Sequence, residues 1–364
     1  MSDGFASRLE RIWYPGDGSS TAPPVALRAA AVLHAVATRA RAAAYDRGLF
    51  AAHRLPVPCI SVGNLSVGGT GKTPLVAWLI EELTARGARP AVVSRGYGGS
   101  AGGPERVTSA GGCEAALRFG DAPALLAARY PEVPVVVGRD RHAAGLLAVN
   151  SGGATVVVAD DAFQHRRLAR DIDIAVIDAS RGLGNGFQLP AGPLRESPAS
   201  LARAGFVVLN RVGAAPDLDE LRRMVAQLAP RTPVAEADLV FDGWRDAISG
   251  APVELPAGAV VYAFSGIANP GSFHRTLEQR GMRIGGQEVF RDHHAFGASD
   301  IALLQRAAAA SGAAAAVTTA KDAVRIAGWS GAVPLYRAEV KLAMIHGHER
   351  LWETLTSIVA RGGG

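Results

Sequence analysis

Short runs rich in Val, Ile and Ala alternate along the chain with longer stretches rich in Ala, Leu and Arg. A continuous apolar run of a few residues is typical of a buried strand, and strands that alternate with helices form a parallel sheet. The pattern therefore predicts an α/β fold with helices flanking the sheet. The predicted strands are VPCISVGN, RPAVVS, VPVVVG, ATVVVADD, IDIAVIDA and FVVLNRVG, and the predicted helices include PLVAWLIEELTARG, GDAPALLAARYP and RDRHAAGLLAVNS.

The pattern changes near residues 213–217, where the series of closely spaced strands ends. A helix, LDELRRMVAQLAP, and a mixed segment through residue 258 follow, and then the strand-turn-helix pattern returns. Because 364 residues exceed the size of one hydrophobic core, two domains are expected. We predict a main core over residues 53–215 and a second, smaller α/β domain over residues 216–364 that completes the active-site cleft.

Residues 1–52 are predicted to form a separate N-terminal helical segment, whose part from residue 24 onward is an apolar helix pattern interrupted by four arginines. Its uncharged run, Ala29 to Thr38, is far shorter than the roughly 20 residues needed to span a membrane. The helix can lie in a membrane interface with its arginines toward anionic headgroups, or it can pack on the domain. The arginines are Arg28, Arg39, Arg41 and Arg47.

The composition, 48% hydrophobic and 20% charged, is that of a globular protein. Two cysteines, Cys59 and Cys113, are too few for a disulfide framework and lack metal-site spacing. The first residues are polar and show no signal peptide, so we expect a cytosolic active site. The net charge of +5 is compatible with nucleic acid, anionic lipid or phosphorylated substrates and decides little.

The stretch SVGNLSVGGTGKTP at residues 61–74 reads as a strand, a phosphate-binding loop and the start of a helix. Glycines let backbone N–H groups point at phosphate oxygens, a lysine reaches the β- and γ-phosphates, and a hydroxyl binds Mg²⁺. Here Lys72 supplies the charge and Thr73 the metal ligand, although Ser66 stands where a glycine is usual. The loop predicts a P-loop NTPase-type sheet and a nucleotide site formed by Ser66, Val67, Gly68, Gly69, Thr70, Gly71, Lys72 and Thr73.

A second acidic element normally holds Mg²⁺ at the end of a neighbouring strand. Asp160 and Asp161 follow a run of strand-forming residues, and we expect one of them to contact the metal or its water shell. Guanine recognition would require Asn-Lys-x-Asp. The strings LNRVG at 209–213 and TAKD at 319–322 each lack part of it, which makes a GTPase less favoured but leaves it open.

Several further strings, in order along the chain, resemble those of tetraacyldisaccharide 4′-kinases, the lipid A kinases of Gram-negative bacteria. They are VGNLSVGGTGKTP (62–74), SRGYGG (94–99), GDAPALLA (120–127), DDAFQHRRL (160–168), RGLGNGFQLPAGPLRE (181–196), FSGIANPGSF (264–273) and FRDHHAF (290–296). The resemblance implies ATP with Mg²⁺ as donor and the 4′-hydroxyl of a tetraacylated glucosamine disaccharide 1-phosphate as acceptor, giving lipid IVA. It also implies a peripheral protein on the cytoplasmic face of the inner membrane, with the N-terminal helix at the interface, and neither nucleic acid nor an obligate protein partner.

Carried over by position, the resemblance places the catalytic aspartate at Asp121 and its histidine partner at His293, with Lys72 as the third catalytic residue. A carboxylate supported by an imidazole can accept the proton that a sugar hydroxyl loses as it attacks. The neighbouring His294 leaves a swapped role open. As isolated residues, Asp121 would more often cap a helix and His293 lie at the surface.

Arg95, Arg141 and Gln164 are expected to contact phosphate or substrate, since the planar fork of an arginine suits phosphate oxygens. Gln164 and His165 follow the acidic pair and are expected to support it. The chain departs from the family pattern twice: Ala122 replaces the Glu of GDEP, and Ala162 replaces the Gly of DDGFQ.

Two rival functions remain at this point. A P-loop GTPase or ATPase acting as a switch or metallochaperone would hydrolyse nucleotide without any glycolipid. A non-catalytic nucleotide-binding module would function without Asp121.

Overall fold

The computed structural model describes residues 3–15, 22–108 and 112–361. The helices described there are α1 (Asp3–Trp13), α2 (Val25–Asp46), α3 (Lys72–Ala85), α4 (Gly112–Phe119), α5 (Asp121–Arg129), α6 (Arg141–Gly152), α7 (Leu218–Leu228), α8 (Pro270–Gln279), α9 (Ala298–Ala310), α10 (Ala320–Ala323) and α11 (His348–Arg361). The strands are β1 (Cys59–Gly63), β2 (Pro90–Ser94), β3 (Glu105–Arg106), β4 (Val135–Val137), β5 (Val156–Asp160), β6 (Ile172–Asp178), β7 (Phe206–Asn210), β8 (Val234–Asp246), β9 (Pro252–Val253), β10 (Val260–Ser265), β11 (Arg283–Val289), β12 (Ala315–Thr319) and β13 (Leu335–His346).

Two compact units are formed from interleaved segments of the chain. The first unit takes its described residues from Met1–Val93, Arg141–Leu239 and Leu342–Gly364, and the second from Ser94–Asp140 and Val240–Lys341. The boundary predicted near residue 215 falls inside the first unit. A sheet can join segments that are far apart in sequence, so a change of pattern along the chain need not mark the limit of a compact unit.

The first unit contains a parallel sheet in the order β8-β7-β6-β1-β5-β2. Its central strands are buried throughout, as in a sheet covered by helices on both faces. Parallel pairing puts the carboxyl ends of β1, β5, β6 and β7 at one edge, where polar residues end three of the strands. Those residues are Asp160, Asp178 and Asn210.

The second unit has a parallel sheet in the order β11-β10-β12-β13. β3 and β4 pair antiparallel, and α5 packs on α4, α10 and β4. Phe264, Phe296 and Leu304 belong to one of its buried clusters. The prediction of a mostly parallel α/β fold flanked by helices is confirmed by this topology.

Helix α2 belongs to the first unit and packs on the rest of that unit by one face. His34 Nε2 lies 3.0 Å from the carbonyl oxygen of Arg195, and Gln188 Nε2 donates to the hydroxyl of Thr38 at 3.3 Å. Ala31 is its buried residue. Within the described part of the chain, no helix has the length and apolar character needed to cross a membrane.

Candidate active site

The phosphate-binding loop leaves β1 at Gly63 and enters α3 at Lys72. Two of its glycines adopt left-handed backbone, Gly68 at φ +104° and Gly71 at φ +87°. A Cβ atom on Gly71 would come within 1.9 Å of Asn210 Nδ2, so both the conformation and the space require glycine. The loop therefore ends at a helix N-terminus, where backbone N–H groups can face an anion.

Side chains on both sides hold the loop in shape. Asn64 Nδ2 donates to the carbonyl oxygen of Ser66 at 2.7 Å and to the hydroxyl of Thr70 at 3.0 Å. Asn210, at the end of β7, donates from Nδ2 to the carbonyl oxygen of Thr70 at 3.0 Å. The backbone N–H of Val67 donates to the carbonyl of Pro193 at 2.8 Å. These contacts fix the loop before any ligand binds.

Lys72 lies beside Asp161, with 3.4 Å between Nζ and Oδ1. Arg195 Nη1 donates to both carboxylate oxygens of Asp161 at 2.9 Å. Burial lowers the pKa of Lys72, although the charge of Asp161 acts in the other direction. Burial acts to raise the pKa of Asp161, but Lys72 and Arg195 outweigh it and hold this pKa at about 2. Asp161 is therefore an ionised partner for two cations.

Asp160 and Asp161 are both at the end of β5, but in different surroundings. Asp160 is buried and lies in register with Val62 of β1. Asp161 has a left-handed backbone at φ +49°. Strained conformations of this kind cluster at functional sites. Ala162 is buried and does not have a positive φ, so the replacement of glycine there brings no backbone strain.

A further contact to the loop was not predicted from the sequence. Arg211 Nη1 donates to the carbonyl oxygen of Gly69 at 2.9 Å and forms a close ion pair with buried Asp178. Arg211 also has a left-handed backbone, at φ +59°. Asp178 ends β6, Asn210 ends β7 and Arg211 follows β7, so the available signal was a polar residue at the carboxyl end of a predicted parallel strand.

The structure brings Asp121 and His293 together within the second unit. Asp121 is the first residue of α5 and is 6% exposed, and His293 follows β11. His293 Nδ1 donates to Asp121 Oδ2 at 2.7 Å. His294 instead lies 2.9 Å from Asp300 Oδ2, so the two adjacent histidines have different carboxylate partners.

Cations surround the carboxylate of Asp121. Arg325 Nε lies 3.6 Å from its Oδ2, and Lys321 Nζ lies 3.4 Å from His293 Nε2. Burial acts to raise the pKa of Asp121, but the hydrogen bond from His293 and the charges of Arg325 and Lys321 outweigh it. The pKa of Asp121 is therefore below its ordinary value. Arg325 and Lys321 were not predicted as site residues, because contacts between distant segments leave no local pattern.

The three expected phosphate contacts lie in different places. Arg95 is exposed in the second unit. Arg141 is buried in the first unit, with Nη2 at 3.4 Å from the carbonyl oxygen of Asp161. Gln164 is half-buried and donates from Nε2 to the carbonyl of Asn64 at 2.9 Å, so it supports the loop.

Comparison with known proteins identifies the family. The family model of tetraacyldisaccharide-1-P 4′-kinase matches residues 24–360. The chain belongs to the tetraacyldisaccharide-1-P 4′-kinase family. This kinase is 44% identical over 370 residues to tetraacyldisaccharide 4′-kinase of Anaeromyxobacter sp. (strain Fw109-5), covering 98% of each chain. It is 46% identical over 331 residues to that of Anaeromyxobacter dehalogenans (strain 2CP-C), covering 88% of this chain and 86% of the other.

A solved structure agrees with the fold of this kinase. The crystal structure of LpxK from Aquifex aeolicus in complex with ATP superposes with a TM-score of 0.71 at 29% identity, covering 90% of this chain and 97% of the other. The family resemblance and the α/β fold predicted from the sequence are thereby confirmed, and so is the prediction that the chain is a kinase. The family model, the relatives and this solved structure do not favour the alternative hypothesis of a nucleotide switch or metallochaperone.

Proposed function

We propose that this kinase transfers the γ-phosphoryl group of ATP to the 4′-hydroxyl of a tetraacylated glucosamine disaccharide 1-phosphate, giving lipid IVA in lipid A biosynthesis. The match of the family model over residues 24–360 carries this proposal. It is supported by the phosphate-binding loop in the first unit and the Asp121–His293 pair in the second, which supply the two chemical functions that such a transfer needs.

The loop binds the triphosphate of ATP. Its backbone N–H groups and the N-terminus of α3 face the phosphates, and Lys72 carries charge to the β- and γ-phosphates. Asp161 holds the lysine, and Arg195 holds Asp161. The lysine is thereby oriented before the nucleotide arrives, which is how an electrostatic contribution to catalysis becomes large.

The oxygen donors near the loop fit a magnesium ion. Thr73 supplies a hydroxyl and Asp160 a carboxylate, both ligands that Mg²⁺ prefers. Both oxygens of Asp161 accept hydrogen bonds from Arg195, which favours Asp160 as the carboxylate ligand. When bound, the ion would neutralise charge on the phosphates.

Asp121 is the proposed base for the acceptor hydroxyl. A carboxylate that stays ionised can accept a proton over the whole physiological pH range, and His293 fixes its orientation. Arg95 is exposed, and we assign it to the phosphate of the acceptor. Arg141 is buried behind Asp161, and we assign it to the ATP site. Gln164 supports the phosphate-binding loop.

Helix α2 is the proposed membrane contact, on the cytoplasmic face of the inner membrane. The face opposite its packed side is apolar and exposed, with Leu33 73% and Val32 62% accessible. Arg28 and Arg39 border this face by helical spacing and are exposed. Such a helix can lie in the headgroup region, and a lipid acceptor makes that position useful. The face consists of Val25, Ala29, Val32, Leu33, Val36 and Ala40.

The direct test is phosphorylation of the lipid. Purified protein with ATP, Mg²⁺ and the disaccharide 1-phosphate in detergent micelles is expected to yield a bisphosphorylated lipid, measured by mass spectrometry. GTP in place of ATP serves as the matched control. GTP hydrolysis without lipid phosphorylation would reject the kinase assignment in favour of a nucleotide switch.

A further inference from the structure

Arg325 is a buried arginine that follows α10 in the second unit and is 4% exposed. Its Nη1 donates to the carbonyl oxygen of His294 at 2.8 Å, and its Nη2 donates to that of Gly266 at 3.0 Å. The guanidinium also forms a close ion pair with Asp322, which is fully buried. Burial of a charged group is costly unless it is paired and hydrogen-bonded, so these contacts define one position for the side chain.

The same contacts hold the backbone around His293. The N–H of His293 donates to the carbonyl of Gly266 at 3.2 Å, the oxygen that Arg325 also contacts. His293 has a left-handed backbone at φ +59°, which a non-glycine residue adopts only where its surroundings impose it. Asp322 accepts from the N–H of Gly266 at 3.1 Å. Arg325 therefore links Gly266 to His294 and encloses the strained residue between them.

One N–H group of the guanidinium has a different environment. Arg325 Nε–H is buried and makes no hydrogen bond within the described residues. It lies 3.6 Å from Asp121 Oδ2, the oxygen that accepts from His293. Both groups thus approach Oδ2, so the proton of an acceptor hydroxyl is expected at Oδ1.

We propose that Arg325 is a positioning residue for phosphoryl transfer: it holds the backbone that carries His293 and keeps the carboxylate of Asp121 ionised and oriented. The inference rests on the proposed role of Asp121 as the base. Among the described residues, the charged groups nearest Asp121 are His293 from the segment after β11, Lys321 from α10 and Arg325 itself. Asp322 lies behind Arg325, and Asp292 pairs with His293 and Lys321 at 3.6 and 3.3 Å. The packed helix α4 carries Glu114 and Arg118, and Arg118 pairs with Glu105. The neighbouring strand β4 contributes only valines.

The test compares Arg325→Lys with the double variant Asp322→Asn/Arg325→Met. The double variant removes both members of the buried ion pair, so no uncompensated charge remains to unfold the protein. Lysine keeps the charge but cannot reach two carbonyl oxygens at once. Arg337→Met is the matched control, because Arg337 pairs with Glu339 at 2.8 Å elsewhere in the same unit.

The double variant is expected to melt cooperatively and to bind ATP normally, while kcat for the lipid falls about tenfold or more. The acid limb of its kcat–pH profile is expected to move upward by about one pH unit, because a positive charge near Asp121 is lost. In Arg325→Lys, the acid limb is expected to lie at the pH of the unmodified protein, because the positive charge is kept. Its kcat is expected to be higher than that of the double variant but below that of the unmodified protein. Arg337→Met is expected to behave as the unmodified protein.

A double variant with unchanged kcat and pH profile overturns the proposal. A fall in kcat with an equal loss of ATP affinity and an unmoved acid limb also overturns it, since that result reports general damage. Asp121→Asn distinguishes a failure of the proposed base from a failure of the proposed role of Arg325. If Asp121→Asn remains active, the role of Asp121 as base fails and this inference fails with it; if it is inactive beside a fully active double variant, this inference alone fails.

Discussion

The phosphate-binding loop and the Asp121–His293 pair are built in opposite ways. The loop is a run of consecutive residues between β1 and α3, and its ligand-binding groups are mainly backbone N–H groups. The pair joins two side chains 172 positions apart in the sequence. A contiguous loop can be recognised from spacing alone, whereas such a pair exists only once the second unit has folded.

The two regions also differ in how they tolerate unusual backbone. The loop places glycine at its left-handed positions, Gly68 and Gly71, where a side chain would be strained or would clash. The pair uses a histidine at φ +59°, so its strain has to be balanced by the contacts of Gly266, Asp322 and Arg325. Substitutions in the loop should therefore act on charge and ligand binding, and those around the pair on proton transfer.

The largest effect is expected from Lys72→Met. The lysine is the cation that reaches the transferring phosphoryl group, so kcat should fall by about 10³. Lys341→Met is the control, because Lys341 is exposed and pairs with Asp242. Both variants are compared by initial rates of lipid phosphorylation at saturating ATP. Substantial turnover by Lys72→Met would show that the loop positions ATP without its lysine.

Asp121→Asn comes next and tests the other region. Loss of the base should lower kcat by about 10² or more while the Kd for ATP stays unchanged, since Asp121 is not part of the loop. Binding is measured by calorimetry and turnover by lipid phosphorylation, with Asp242→Asn as a control carboxylate in the same unit. If ATP affinity fell together with kcat, the separation of the two regions into donor and acceptor functions would be wrong.

His293→Gln should have a smaller effect with a clear pH dependence. The hydrogen bond from His293 lowers the pKa of Asp121, so its removal raises that pKa and protonates the base at higher pH. The loss of kcat should therefore be larger at acidic pH than at pH 8, reaching about tenfold on the acid side. His294→Gln is the adjacent control, since His294 pairs with Asp300. A larger effect for His294→Gln would exchange the roles of the two histidines.

Many strands of the fold could be predicted from apolar runs in the sequence, but two long strands could not. The strands β1, β2, β4, β5, β6 and β7 were predicted because each is a short, continuous apolar run. β8, from Val234 to Asp246, and β13, from Leu335 to His346, were not predicted, since exposed and buried positions are mixed along both. Partial exposure breaks the apolar run on which the prediction depends.

Some residues of the candidate site could likewise be predicted from local sequence patterns, and others could not. Lys72 and Thr73 could be named from the loop, and Asp160 and Asp161 from the strand before them, because these residues follow local patterns. Asp121 and His293 were named only through the family resemblance, and Arg325 was not named at all. A buried arginine that contacts two distant carbonyl oxygens depends on the folded backbone, which spacing does not encode.

The smallest effect on the chemistry is expected from the outer face of α2, which belongs to neither region. Val32 and Leu33 are exposed there, so Val32→Glu/Leu33→Glu should leave kcat in detergent micelles close to that of the unmodified protein. The same double variant should bind less well to vesicles that contain anionic lipid, because it loses apolar area and gains negative charge on the face that would meet the headgroups. Flotation with vesicles measures the bound fraction, and Ile248→Glu/Leu303→Glu, at exposed apolar positions of the second unit, is the control for added charge. Equal binding by the two double variants would mean that α2 is not the membrane contact, whereas a loss of kcat in micelles would mean that its outer face belongs to the catalytic machinery.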